Sequence, residues 1–193
     1  MSIQADMDKR DKILKATQDL LAKEGFHGLS MQKIAKHAGV AAGTIYRYFD
    51  DKEALLKEIR MSVTKLIAVE MQAGVSDDMP LEARFRIMWL NLWELGQGNS
   101  KVLNNQVQYE SLPQPTTEEE REAERKLFPH VEKMFKQGIA EGVFKPLDGK
   151  ILFTLSLQTG VMLAKKHAQG VIELDKHSLE EAISASWDAI IQH

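Results

Sequence analysis

Apolar residues recur three or four positions apart from Ile13 to Ile191, and no run alternates convincingly at period two. This spacing stacks side chains on one face of a helix, so it predicts an all-α chain without a sheet. Only five prolines, at 80, 113, 115, 129 and 146, punctuate the pattern. The length, 193 residues with 44% hydrophobic and 27% charged, suffices for a packed core and excludes a disordered or repetitive chain.

The elements follow from stripes, caps and breakers. Ile13, Ala16, Leu20 and Leu21 form the stripe of a first helix, with Gly25 as its C-terminal cap. Ser30 caps a second helix carrying Met31, Ile34, Ala35 and Ala38, and Gly39 stops it. A third short helix is expected from about Ala42 to Tyr48. A fourth begins near Asp50-Asp51-Lys52-Glu53 and keeps helical spacing through Leu55, Leu56, Ile59, Val63, Leu66 and Ile67, as a bridge over about 51–73. Gly74 to Pro80 breaks the pattern. Further helices are expected over Leu81 to Leu95, near Val102 to Tyr109, from Thr117, from Asp148 with a nearly apolar stretch Ile151 to Ala164, and from Ser178. Thr117 with Glu120, and Ser178 with Glu181, fit reciprocal capping boxes. Two helical domains are expected, 1–50 and 74–193.

The segment SMQKIAKHAGVAAGTIYRYF, residues 30–49, has the dimensions of a helix-turn-helix. Ala35 is small where two helices would cross, Gly39 permits the turn, and Val40 and Ile45 can pack the pair. The second helix offers the groups a DNA groove requires. Gly43 and Thr44 can approach base edges, Tyr46 and Tyr48 can reach phosphates, and Arg47 can reach either; Tyr46 and Tyr48 lie two residues apart and cannot both face one side. Lys52 adds a charge at the next helix start, Lys33 and Lys36 widen the electrostatic footprint, and Ser30 or Gln32 can touch backbone. Charge is distributed accordingly: residues 1–60 carry 11 Lys+Arg against 9 Asp+Glu, and residues 61–193 carry 14 against 19.

At these residues the chain resembles the TetR family of bacterial transcriptional regulators. The pattern is carried by Ile34-Ala35, Ala38-Gly39-Val40, Gly43, Tyr46, Phe49 and Lys52, with Leu55 or Leu56 following. It covers about residues 9–60, and beyond them Gly142-Val143-Phe144 matches the family's frequent Gly-x-Phe. One departure stands out: Ala41-Ala42 follow the turn valine where the family often has Ser or Thr, removing a hydroxyl that would cap the recognition helix or touch phosphate. The resemblance implies an N-terminal three-helix helix-turn-helix DNA-binding domain followed by a C-terminal helical ligand-binding and dimerisation domain.

The C-terminal half contains an aromatic and Met-rich set. From composition alone it fits either an ordinary core or a cavity for an apolar or aromatic ligand. The resemblance implies a pocket, for which Phe85, Trp89, Trp93, Gln106, Tyr109, Phe128, Met134, Phe153, Gln158 and Met162 are the candidate lining residues. The stripe of the last helix and the multi-faced Ile151 to Ala164 stretch exceed what one domain readily covers, so a self-complementary interface is expected at Leu155, Leu163, Leu179, Ile183, Trp187 and Ile190. The resemblance implies a homodimer joined through its last two long helices. Two recognition helices one DNA turn apart, about 34 Å, or a multiple of it, demand such a dimer on a near-palindromic double-stranded operator.

Other chemistry is disfavoured. Zero cysteines exclude thiol catalysis, thiolate zinc sites and disulfides, and leave a reducing compartment as the natural home. The six histidines show no paired metal-ligand spacing, Gly96 to Lys101 lacks the spacing of a phosphate loop, and no nucleophile pairs with a base. No enzyme activity, metal or cofactor is expected. The polar start MSIQADMDKRDK lacks a signal-peptide stretch, and Ile151 to Ala164 is too short for a membrane span, so a cytoplasmic protein without membrane attachment is expected. The function expected is a ligand-responsive transcriptional regulator, a repressor released by a small apolar or aromatic inducer whose identity the sequence leaves unknown. The alternative is a DNA-binding dimer with a non-transcriptional chromosomal role or a protein partner in place of the ligand.

Overall fold

The computed structural model describes residues 3–97 and 112–192, with side chains from residue 8. The expected helix near Val102 to Tyr109, with Gln106 and Tyr109, lies outside the described residues. Ten α-helices and no strand occur among those described. They divide into two compact units, 3–64 with 112–121, and 65–97 with 122–192.

In the first unit α1 (Ile3–Glu24) buries Ile13, Ala16, Leu20 and Leu21. Gly25, at φ 70°, ends it, and a 3-10 turn, Phe26–Gly28, follows. Helix α2 (Met31–His37) starts at Ser30, whose Oγ accepts from the Lys33 amide at 3.2 Å. Gly39 takes φ 67°, a left-handed conformation that a side chain would strain, and turns the chain into α3 (Ala42–Ile45). Helix α3 is shorter than expected. After Ile45 the amides of Arg47, Tyr48 and Phe49 bond back to the carbonyls of Thr44, Ile45 and Ile45, a closing turn that mixes bonds spanning three and four residues. Helix α4 (Lys52–Met71) opens on Asp51, whose carboxylate accepts from the Ala54 amide at 2.8 Å.

Ile34, Ala35, Ile45, Phe49, Leu55, Leu56 and Ile59 form the core of this unit. Leu112 is buried in the same cluster, so 112–121 belongs here and not, as expected, to the 74–193 domain. The unit boundary falls inside α4, between Thr64 and Lys65. The capping box at Thr117 and Glu120 forms as expected at the start of α6 (Glu118–Arg125): the Glu120 amide donates to Thr117 Oγ1 at 3.1 Å, and the Thr117 amide to Glu120 Oε2 at 3.3 Å.

The second unit is organised around α5 (Leu81–Gly96), which buries Phe85, Met88, Trp89, Leu92 and Trp93. Around it pack α7 (Pro129–Ala140), α9 (Leu157–Ala168) and α10 (Lys176–Asp188). Helices α5 and α9 approach closely because Gly96 faces Ala164: a Cβ on Gly96 would lie 2.5 Å from that of Ala164. The expected helix from Asp148 is broken. It forms α8 (Gly149–Leu155), stops at Ser156, with φ −125° and ψ −83°, and resumes as α9. The second expected capping box does not form, because Asp175 caps α10 by accepting from the Ser178 amide at 2.7 Å, which puts Ser178 inside the first turn. Phe144 is fully buried between Phe135 and Trp187, and its turn is tied to the C-terminus by the Lys145 amide donating to Ile190 O at 2.8 Å.

Candidate functional site

The exposed edge of the helix-turn-helix is a short scaffold anchored from below. Ile34 and Ile45 are fully buried, fixing α2 against α3, while Gln32, Lys33, Lys36, Gly43, Tyr46 and Arg47 are exposed. Thr44 and Tyr48 are half-buried. The two tyrosines divide as their spacing requires: Tyr48 packs against the core, and Tyr46 is 53% exposed. Ala41 precedes α3 without a side-chain cap, the consequence of its missing hydroxyl.

Several candidates carry structural duties as well. Ser30 caps α2, as above. Lys33 pairs with Glu24 and donates to Gly28 O at 3.4 Å, so part of its charge is spent within the protein. The Lys52 ammonium sits 4.7 Å from the centre of the Phe26 ring, a cation–π contact that fixes the start of α4 beside the 3-10 turn. Arg10 does the same over Phe49, at 5.6 Å, while paired with Glu58.

Gly43 is informative because nothing among the described residues requires it. A Cβ built there meets no atom within 4 Å, and its φ is not in the left-handed region. Neither packing nor backbone strain excludes a side chain, so the small size matches a surface that must come close from outside.

The candidate lining residues of the second unit separate. Phe85, Trp89, Trp93 and Met134 are buried, and Phe128 and Phe153 half-buried. Trp89 and Trp93 stack with planes 10° apart, and Trp89 Nε1 lies 3.3 Å from Thr159 Oγ1 and 3.2 Å from Ser186 Oγ. Gln158 and Met162 are exposed instead, Met162 at 47%, because the break at Ser156 turns Leu157, Gly160 and Ala164 toward the core.

The interface candidates separate too. Leu155 is exposed, and Leu163, Leu179 and Trp187 are half-buried. Ile183 and Ile190, at 4% and 0%, are core residues of the single chain and have no surface to give to a second copy. Ile151 and Val171, exposed apolar residues, were not among the candidates. Nor was Arg84, which is 1% exposed on α5. Its sequence signal was an arginine between Leu81 and Phe85 on a stripe of buried residues.

At the surface of this unit Asp77 accepts from Lys133 Nζ at 2.7 Å and contacts His130 Nδ1 at 2.8 Å; the two hold its carboxyl down at about 2. Among the described residues no helix is long and apolar enough to cross a membrane.

The family described as bacterial regulatory proteins, tetR family, matches residues 13–59, and that described as tetracyclin repressor-like, C-terminal domain, matches residues 80–191. An HTH-type transcriptional regulator of Haemophilus influenzae is 36% identical over 189 residues, covering 97% of this chain and 98% of that protein. The structure of a TetR-family transcriptional regulator from Vibrio parahaemolyticus superposes with a TM-score of 0.85 at 54% identity, covering 96% of this chain and 99% of that one. A TetR-family regulator structure from Haemophilus influenzae gives 0.74 at 34% identity, covering 98% and 100%.

Proposed function

The chain belongs to the TetR family, whose regulators bind operator DNA as dimers, and from that membership we propose that it is a repressor released from its operator by a small effector. It is a DNA-binding transcriptional regulator and not an enzyme. Each head presents Gly43, Thr44, Tyr46 and Arg47 to DNA, with Lys36 and Lys52 adding charge near phosphates. Repression is steric: the dimer occupies a near-palindromic operator overlapping a promoter. An effector in the C-terminal unit changes the separation of the two heads, and a coupling of about 1–3 kcal/mol suffices for a 5- to 150-fold loss of affinity.

The observation that carries the reading is the exposed, structurally unneeded smallness of Gly43 beside exposed Tyr46 and Arg47 on a rigid α2–α3 scaffold. Exposed Ile151, Leu155 and Met162 support a second copy as partner of the C-terminal unit. Fluorescence anisotropy on DNA flanking the protein's own gene, against scrambled DNA at the same near-physiological salt, tests the reading. Preference of about a thousandfold or more is expected. Equal, salt-sensitive binding to both DNAs would count against operator recognition there, and no binding to either would end the proposal.

A further inference from the structure

The C-terminal unit buries a positive charge that its described side chains leave unmatched. Arg84 is 1% exposed, and its Nη2 donates to Gln137 Oε1 at 2.6 Å. Nε and Nη1 are buried with no hydrogen-bond partner among the described residues. The acceptor Gln137 is neutral, and its own amide is committed to Glu141 at 2.8 Å. Asp78 feels the field of Arg84, but its carboxylate is held first by Ser76. The other cations of this region are spent: Arg86 on Glu180, through two bonds of 2.6 and 2.7 Å, and Lys133 on Asp77.

Burying a guanidinium with free N–H groups is costly, and an apolar side chain of similar length fits an α5 stripe of Leu81, Phe85 and Met88 at no such cost. A buried cation with open donors is the arrangement that an incoming anion completes, because charge-assisted bonds to a guanidinium are strong and directional. One unmatched charge calls for one negative charge. A phosphate dianion would leave a surplus inside the protein, whereas a carboxylate balances Arg84 and accepts from a free N–H group.

We propose that Arg84 anchors the effector in the C-terminal unit, and that the effector is an organic monocarboxylate with an apolar body. The proposal rests on the effector-responsive reading above and names the ligand class that reading leaves open. One carboxylate oxygen accepts from either Nη1 or Nε of Arg84, whose free N–H bonds leave different edges of the guanidinium, with Gln137 holding Nη2 in place. The apolar body lies against the buried apolar residues of α5.

The three tryptophans, Trp89, Trp93 and Trp187, all belong to this unit, so intrinsic fluorescence reads it independently of DNA. The full-length protein is titrated with octanoate and with benzoate, each against its neutral counterpart, octan-1-ol and benzyl alcohol, with thermal midpoints measured in parallel. Saturable binding of at least one carboxylate is expected, tighter than its alcohol by about tenfold or more. Which of the two binds distinguishes an aliphatic from an aromatic body. In Arg84→Met the preference for the carboxylate is expected to vanish, while the unliganded thermal midpoint stays or rises because an unpaired buried charge is gone. Arg84→Lys keeps the charge but not the fork, and should retain a weakened preference; it carries the test if Arg84→Met fails to fold. The proposal is overturned if neither carboxylate binds, if acid and alcohol bind alike, or if the preference survives in Arg84→Met. Anisotropy on operator DNA separates the two readings. Arg84-dependent carboxylate binding without loss of DNA affinity removes the effector reading and leaves the anion site standing, whereas DNA release by neutral compounds alone removes the anchor and leaves the effector reading standing.

Discussion

The DNA-binding head and the C-terminal unit are both helical, yet they separate core from function in opposite ways. In the head the two kinds of residue alternate at the scale of one position: Ile45 is fully buried and Tyr46 beside it is 53% exposed. Binding to DNA needs small, polar or cationic groups outside, and folding needs large apolar groups inside, so residue type reports role. In the C-terminal unit a core, the proposed pocket for an apolar ligand and the proposed face for a second copy would all call for Leu, Ile, Met and aromatic rings. Residue type there is silent, and burial separates only the exposed apolar residues from the buried ones.

Substituting the adjacent pair tests this contrast with the largest effect. Ile45→Ala is expected to cost about 2–5 kcal/mol of stability through lost burial and a cavity between α2 and α3. Tyr46→Ala is expected to stay within about 0.5 kcal/mol in stability while weakening binding to every DNA sequence. Urea denaturation paired with anisotropy reads both, and equal destabilisation of the two variants would abolish the separation claimed for the head.

Glycines give the same contrast across the two units. A Cβ on Gly138 would stand 2.1 Å from the ring of buried Phe144, itself held between Phe135 and Trp187, so Gly138→Ala is expected to cost about 1–3 kcal/mol by overpacking. Gly43→Ala meets open space and gains helix propensity, so the thermal midpoint should hold or rise. DNA affinity should nevertheless fall by about tenfold or more, about 1.4 kcal/mol. Unchanged DNA affinity in Gly43→Ala would show that no surface approaches this position closely.

These outcomes bear on what the sequence could and could not disclose. Gly39 and Ser30 announced the turn and the cap of α2 because each answers a local backbone requirement, met within a few residues. Elements were harder wherever two local solutions compete. Asp175 lies three residues before Ser178, and a carboxylate outbids a hydroxyl for the free amides of α10. The Ile151 to Ala164 stretch is apolar on several faces, so its phase stayed undetermined until Ser156 broke the helix. Gln158 and Met162 then faced outward, and Leu157 and Ala164 inward. Leu112 lay beyond local reasoning altogether, since nothing near it in sequence shows that it fills the core of a unit built mostly from residues before 64.

Within the head, direct readout and charge can be told apart. Thr44 is half-buried at the exposed edge of α3, and Thr44→Ala is expected to change preference at one base position by about 1–3 kcal/mol. Equal loss on all sequences would assign it to phosphate. Lys52→Ala is expected to weaken binding uniformly and to lower the magnitude of the salt slope by about one, with a small loss of stability from the vacated Phe26 ring. An unaltered slope would leave Lys52 with its structural contact alone.

The smallest effect belongs to the surface of the C-terminal unit and uses pH. Lys133 and His130 hold the Asp77 carboxyl at about 2 against an ordinary 3.8, so the folded state favours the carboxylate over the acid. Below 3.8 the unfolded chain takes up a proton that the folded protein still refuses, and stability rises with pH across that interval. The contribution of Asp77 is therefore complete above about 4 and lost as pH falls through about 2. Asp77→Asn removes it at neutral pH, so the thermal midpoints of the two proteins should differ slightly at pH 7 and converge in acid. The pair is solvent-screened, so added salt should shrink the difference at pH 7, in contrast to the buried substitutions at Ile45 and Gly138. A difference that persists unchanged in acid would mean that Asp77 acts through packing and not through its charge.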